Sequence, residues 1–130
     1  MHLRLLFKGK FKRGFRRSIF LEVKKINQNK KLHRYSTRVD ILLDAGQKLI
    51  TQLNLTYRNK NKPTDILSFK IDDEYAQIII SLIEIKLNKS KEFIFSLLET
   101  IKHGILHILG YDHETLEEAK KMTIACKQIF

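Results

Sequence analysis

The sequence predicts an α+β fold, a small mixed β-sheet with helices packed on it. Two patterns carry that reading. Short runs rich in β-branched and aliphatic residues, STRVDILL (36 to 43), ILSFKI (66 to 71) and QIIISL (77 to 82), have the composition of strands and are separated by turn residues. Between and after them lie longer stretches with apolar residues three or four apart, which dominate the C-terminal half. No internal repeat or linker interrupts the pattern. Residues 1–130 therefore read as one domain, long enough to bury a core without disulfides.

In order along the chain, MHLRLLF opens as a short strand. Phe11, Phe15, Ile19, Val23 and Ile26 then fall at helical spacing with Lys and Arg between them, which predicts a basic amphipathic helix over 11 to 28. STRVDILL follows as a strand. Asp44 is placed to cap a helix through about Tyr57, with Leu49, Leu53 and Tyr57 on its inner face. RNKNKPTD (58 to 65) carries the only proline and reads as a loop. ILSFKI, the turn DDEY and QIIISL make two more strands, and IEIKL a short helix. Ser90 opens a long helix through Leu109, and Thr115 to Phe130 forms a last one with Leu116, Ala119, Met122 and Ile129 inward.

Composition narrows the function classes. A hydrophobic fraction of 43% with five Gly and one Pro excludes a disordered chain. No apolar run approaches the roughly 20 residues of a membrane span. One cysteine, Cys126, allows no internal disulfide and fits a reducing, cytoplasmic setting. The basic N-terminus lacks the apolar core of a secretory signal, leaving a transit peptide as the minor alternative. Charge is unevenly placed: residues 1 to 35 hold twelve Lys/Arg and one acid, Glu22, and so carry the whole net charge of +11. Such a block meets polyanions, or is a solvated surface.

The stretch HGILHILGYDH, 103 to 113, concentrates three of the five histidines. His103 and His107 lie four apart, on one face of a helix, with Cβ atoms roughly 5–6 Å apart. Gly110 can end that helix in a left-handed cap and return His113 toward the other two. A histidine on an apolar face is ordinarily a core residue, but three polar rings set among Ile and Leu all need partners, and one metal ion satisfies them together. Three neutral nitrogens with an open fourth position suit a catalytic zinc site, one ion per chain at the end of the long helix. The segment overlays the metzincin pattern H-E-x-x-H-x-x-G-x-x-H except that Gly104 replaces the glutamate base, which counts against peptide hydrolysis. His2 and His33 have no spaced partner and read as surface residues. Cys126 reads as core or partly exposed, and Asp112 and Glu114 as turn or N-cap residues beside His113.

The same stretch resembles the signature of the YbeY family of bacterial rRNA maturation factors, which are single-strand-specific metallo-endoribonucleases. A second block, LNLTYRNKNKPTDILSF (53 to 69), is similar to the family's L-N-x-x-Y-R…P-T-D-V-L-S-F-P. The resemblance runs from about Val39 to Met122 and is weak over the first 35 residues. It implies His103, His107 and His113 as zinc ligands and Arg58 as the functional arginine. A guanidinium suits that role, since it clamps phosphate through two parallel hydrogen bonds; the alternative is a solvated loop arginine. Thr64, Asp65 and Ser68 are candidates to orient the ligands or line the cleft, or to cap the turn before a strand.

Two departures stand out. Ala76-Gln77 replaces the family's Gly-Asp before the strand, removing a carboxylate that could orient a ligand or pass a proton. Lys70 replaces the proline after Ser-Phe. The resemblance implies a cytoplasmic, monomeric zinc endoribonuclease that processes the 3′ end of 16S rRNA and serves ribosome quality control. Its partners are single-stranded rRNA and the small ribosomal subunit, without a membrane. The basic first quarter would grip the RNA backbone. Two rivals are a non-catalytic zinc-containing ribosome-binding factor, suggested by Gln77, and a metal hydrolase of another substrate.

Overall fold

A computed structural model describes residues 1–88 and 92–130. The elements run β1 (His2–Lys8), α1 (Arg13–Asn27), β2 (Arg38–Asp44), α2 (Lys48–Arg58), β3 (Ile66–Lys70), β4 (Tyr75–Ser81), α3 (Leu82–Asn88), α4 (Phe93–Ile108) and α5 (Leu116–Ile129). The sheet order is β1-β2-β4-β3. β1 pairs in parallel with β2, Leu3 opposite Val39 and Leu5 opposite Ile41, and β2 with β4, Ile41 opposite Ile78. β3 is antiparallel to β4, Ser68 opposite Ile78. Mixed pairing follows from the connections: α1 is long enough for a parallel crossover, whereas β3 and β4 are joined by a short turn. In that turn Asp72 Oδ1 accepts the backbone N–H groups of Glu74 and Tyr75 at 2.8 and 2.7 Å.

Strand alternation divides the apolar residues between two faces. Val39, Ile41, Leu43, Ala76, Ile78 and Ile80 join Ile19, Val23 and Ile26 of α1, Leu97, Ile101 and Ile105 of α4, and Met122 and Ala125 of α5 in the main core. The opposite face carries a smaller cluster of Ile50, Leu67 and Ile79 beneath α2. Fully buried Ile and Leu side chains each contribute roughly 1.5–3 kcal/mol relative to exposure, so the main face dominates stability and fixes α4 across the sheet.

Several sequence expectations change. Phe11 precedes α1, whose N-cap is Lys12. Asp44 does not cap α2, which starts after Gln47; its Oδ1 accepts from Gly46 N–H at 2.9 Å at the end of β2. Tyr57 points outward, 66% exposed, with its ring against Phe69. Ile50 and Asn54 are the fully buried residues of α2, and Leu49 and Leu53, half-buried beside them, pack on the same small cluster as expected. Leu116, 75% exposed, belongs to the first turn of α5, before that helix meets the core. Ser90 lies outside the described residues, and α4 begins after Glu92. Thr115 does cap α5, in a reciprocal capping box with Glu118.

Candidate metal centre

The three histidines are gathered by the way α4 ends. His103 and His107 sit one turn apart on its last two turns. At its C-terminus Gly110 N–H donates to the His107 carbonyl and Tyr111 N–H to the Leu106 carbonyl, both at 3.0 Å. This is the Schellman pattern, with Gly110 at φ +93°. Nothing lies within 4 Å of a Cβ built on Gly110, so the glycine serves the backbone angle alone. His113 then sits between that turn and the capping box that begins α5, its N–H donating to Asp112 Oδ1 at 2.8 Å.

The result is a converging donor set. One ring nitrogen from each of His103, His107 and His113 lies within 4.8 Å of the others. His103 Nε2 and His107 Nε2 approach to 2.9 Å. The three side chains can hold a metal ion, and nitrogen donors in this number suit zinc, copper, iron or nickel. Burial lowers the pKa of His107, and the charges of His113 and Arg58 lower it further, against Asp112 and a backbone hydrogen bond at Tyr111 that raise it. The net effect favours neutral imidazole, the form that binds metal. Asp112 Oδ1 lies 4.0 Å from His107 Nδ1, on the far side of the ring from His103. A carboxylate there favours a proton on Nδ1 and leaves Nε2 as the donor.

Arg58 comes from a distant element. It is the last residue of α2, exposed, and close enough for its charge to oppose protonation of His107. The chain turns away at Asn59, in the left-handed region at φ 55°, and Asn59 N–H closes the helix on Leu55 O. Buried Asn54 donates through Nδ2 to Lys62 O at 2.8 Å and accepts Lys60 N–H at its own carbonyl, tying the loop to the helix. Sequence reading missed Asn54. A polar residue at an apolar-periodic position, followed by a lysine- and asparagine-rich loop, was the available signal.

Gly104 acquires a positive explanation. A Cβ there would stand 2.7 Å from Ile66 Cδ1, 3.0 Å from Ile78 Cδ1 and 3.1 Å from Ser68 Oγ. The glycine lets α4 lie close on β3 and β4, with the ligands of the same turn held beside the sheet. A glutamate at this position would point into Ile66 and Ile78. Ser68 therefore faces Gly104, and Asp65 borders a cleft of about 490 Å³ with His103 and His113. Ile66, Leu106, Met122 and Cys126 line the same cleft. Thr64 Oγ1 reaches Asp65 Oδ1 only at 3.4 Å.

Gln77 is not where a ligand orienter would be. Ile78 faces Gly104, so strand alternation sends Gln77 to the opposite sheet face. There its Nε2 donates to Tyr75 Oη at 2.6 Å, and Tyr75 Oη donates to Asp40 Oδ2 at 3.1 Å. Arg4 completes the network with bonds of 2.9 and 2.6 Å to Asp40. The replaced family carboxylate thus belongs to a second polar cluster, away from the histidines. His2 and His33 are exposed, as expected, and Cys126 is partly buried. Exposed Lys10, Lys12, Arg13, Arg16 and Arg17 spread the basic block along the start of α1, with Arg16 over the Phe7 ring at 4.9 Å. Among the described residues, no helix is long and apolar enough to cross a membrane.

Comparison with known proteins agrees with this geometry. The family profile described as Endoribonuclease YbeY matches residues 9–130. An Acetivibrio thermocellus protein named Endoribonuclease YbeY is 37% identical over 111 residues, covering 68% of this chain and 68% of that protein. A Mycoplasmopsis pulmonis protein of the same name is 31% identical over 127 residues, covering 85% and 82%. A third, from Bartonella henselae, is 42% identical over 93 residues, 62% of this chain and 59% of that protein. A solution structure of a Thermotoga maritima protein superposes with a TM-score of 0.59 at 25% identity, over 97% of this chain and 89% of that one. By profile, by sequence and by the histidine turn itself, the chain belongs to the Endoribonuclease YbeY family.

Proposed function

We propose that residues 1–130 work as one domain, a zinc-dependent endoribonuclease that cuts single-stranded RNA in the cytoplasm. Within the family resemblance, its task is 3′ end maturation of 16S rRNA and ribosome quality control, carried out as a monomer at the small ribosomal subunit. The observation that carries the reading is the convergence of three histidine nitrogens within 4.8 Å, with the charge of Arg58 acting on His107. Relatives from several bacteria named Endoribonuclease YbeY support the RNA substrate.

His103, His107 and His113 would hold the zinc, which when bound supplies Lewis-acid stabilisation of phosphoryl charge and lowers the pKa of water. Arg58 holds a phosphate oxygen pair through its guanidinium fork and offsets the charge that develops on phosphorus-bound oxygens. Its place at the end of α2, where Asn54 ties the following loop to the helix, would limit its freedom before substrate arrives. Asp112, 4.0 Å from His107 Nδ1, would favour a proton on that nitrogen by its charge. The cations of α1 attract the RNA backbone without reading sequence.

The test is cleavage of a single-stranded RNA by protein stripped of metal and reloaded with zinc, beside His107→Ala treated identically. Zinc-dependent cleavage that the variant lacks supports the enzyme. Full RNA affinity with no cleavage above the metal-free control would favour the ribosome-binding reading instead.

A further inference from the structure

We propose that the cleft beside His103 and His113 is a nucleobase subsite, holding the base next to the scissile phosphate and favouring bases that carry an amino group over uracil. The inference rests on the endoribonuclease reading and adds to it where the RNA's base goes. Position comes first. The cleft lies between α4, α5 and the start of β3, and two of the three candidate ligands form its wall. Whatever is covalently attached to a phosphate at the histidines is therefore within reach of it.

Size and lining then choose among the parts of a nucleotide. At about 490 Å³ the cleft falls inside the roughly 300–1,000 Å³ range of small-molecule sites. Ile66, Leu106, Ala119 and Met122 give it an apolar lining suited to a flat ring. Apart from the histidines, its ionisable lining groups are the acids Asp65 and Glu99 and the thiol of Cys126. Two carboxylates repel phosphate, so a nucleic acid enters this cleft with its base and leaves its phosphates outside.

The acids also set a preference. Glu99 is engaged by Lys102 at 2.9 Å. Asp65 is met by Thr64 only at a long 3.4 Å, and an ionised carboxylate has about four acceptor sites to fill. An acceptor at this position pairs with the amino group of cytosine, as carboxylates do with cytosine N4 in duplex grooves, or with those of adenine and guanine. Uracil presents carbonyl oxygens in the equivalent place, which an anion repels. One such hydrogen bond corresponds to about a fivefold preference at the low end of base discrimination.

Cys126 makes the cleft observable without catalysis. It is the chain's single cysteine, is partly buried and lines the cleft. The rate of Cys126 alkylation by iodoacetamide is measured on the zinc-loaded full chain with cytidine 5′-monophosphate, uridine 5′-monophosphate or ribose 5-phosphate present. We expect cytidine monophosphate to protect at concentrations about fivefold lower than uridine monophosphate, and ribose 5-phosphate to leave the rate unchanged. In Asp65→Asn, whose amide can donate to uracil oxygens, the cytidine preference should vanish or reverse with zinc content retained. Equal protection by the two nucleotides in wild-type protein would overturn the preference, and protection by ribose 5-phosphate would overturn the base subsite. No protection by either nucleotide, in protein that does cleave RNA, would overturn the subsite while leaving the nuclease reading intact.

Discussion

Replacing Gly104 with alanine sets two effects of opposite sign against each other. Alanine is favoured over glycine in a helix interior by about 1 kcal/mol. Against that, the added Cβ meets Ile66 Cδ1 at 2.7 Å, Ile78 Cδ1 at 3.0 Å and Ser68 Oγ at 3.1 Å, all on the sheet beneath. Overpacking of this kind costs about 1–3 kcal/mol. The tip of Ile66 can rotate away, but three neighbours at once leave little room, so the net expectation is a loss of about 1 kcal/mol. For a chain of 130 residues this lowers Tm by about 3–5 °C. Thermal unfolding should be followed on chelator-treated protein, so that metal linkage does not enter. Zinc affinity, measured separately, should fall as well, since His103 and His107 ride on the displaced turn. Ile66→Val removes the methyl met at 2.7 Å and alone costs about 0.5–1.5 kcal/mol. Combined with Gly104→Ala it should cost at least about 0.5 kcal/mol less than the sum. A Gly104→Ala protein that melts higher than wild type, with additive behaviour toward Ile66→Val, would refute the close-approach argument.

Arg58→Lys should retain fold and zinc but reduce turnover, and Arg58→Ala should reduce it by about 10²–10³-fold, with a much smaller change in binding of uncleaved RNA; weakened binding at normal turnover would make it a docking residue. Any one of His103→Ala, His107→Ala or His113→Ala should lower zinc affinity sharply from one ion per chain, and full occupancy in the His103/His107 double variant would place the ligands elsewhere. Charge reversal at Lys10, Lys12, Arg13, Arg16 and Arg17 should shrink the salt dependence of RNA affinity, and an unchanged slope would leave those residues as a solvated face. The Arg4 hydrogen bonds, helped by Tyr75 and the charges of Arg4 and Arg38, hold the Asp40 carboxyl below its ordinary value despite burial. A carboxylate lowered on folding stabilises fully above its unfolded pKa, near pH 4, and loses that contribution as pH falls through the folded value. Urea midpoints should therefore drop less between pH 5 and pH 2 in Asp40→Asn than in wild type; parallel curves would show that Asp40 contributes nothing to acid sensitivity.

The local chemistry of the site was legible in the sequence because its parts are close along the chain. The four-residue spacing of His103 and His107 needs only helical periodicity, and Gly110 with His113 needs only a cap. The strands were legible for the same reason, since β-branched runs such as VDILL mark buried strands wherever they lie. The inner stripe of α2 was legible as far as Leu49 and Leu53, which pack beside Ile50, but its last member, Tyr57, lies exposed against Phe69. Buried Asn54 was not legible, because its hydrogen bond to Lys62 in the following loop is a contact that propensity does not encode. Gly104 lacks the acid of the metzincin pattern, as read, but its role as a point of contact was not legible, since helix-to-sheet distance is invisible to motif comparison. The carboxylate that Gln77 replaces could have oriented a ligand or passed a proton by the family pattern, but strand alternation puts this position on the other face.

The site also divides by how far its parts lie apart along the chain. The three histidines span eleven residues, while Arg58 is 45 residues before His103 and arrives on a helix from the other side of the sheet. Closing a short loop is entropically cheap, and a metal can close it without the rest of the fold. Bringing Arg58 to His107 requires α2, β3 and α4 to be assembled at once. Metal retention and catalytic competence should therefore part company as the protein is denatured: the ion can outlast the enzyme. Zinc content alone would then overstate how much of a preparation is native, and the arginine's reach to the histidines is the better measure of a finished fold.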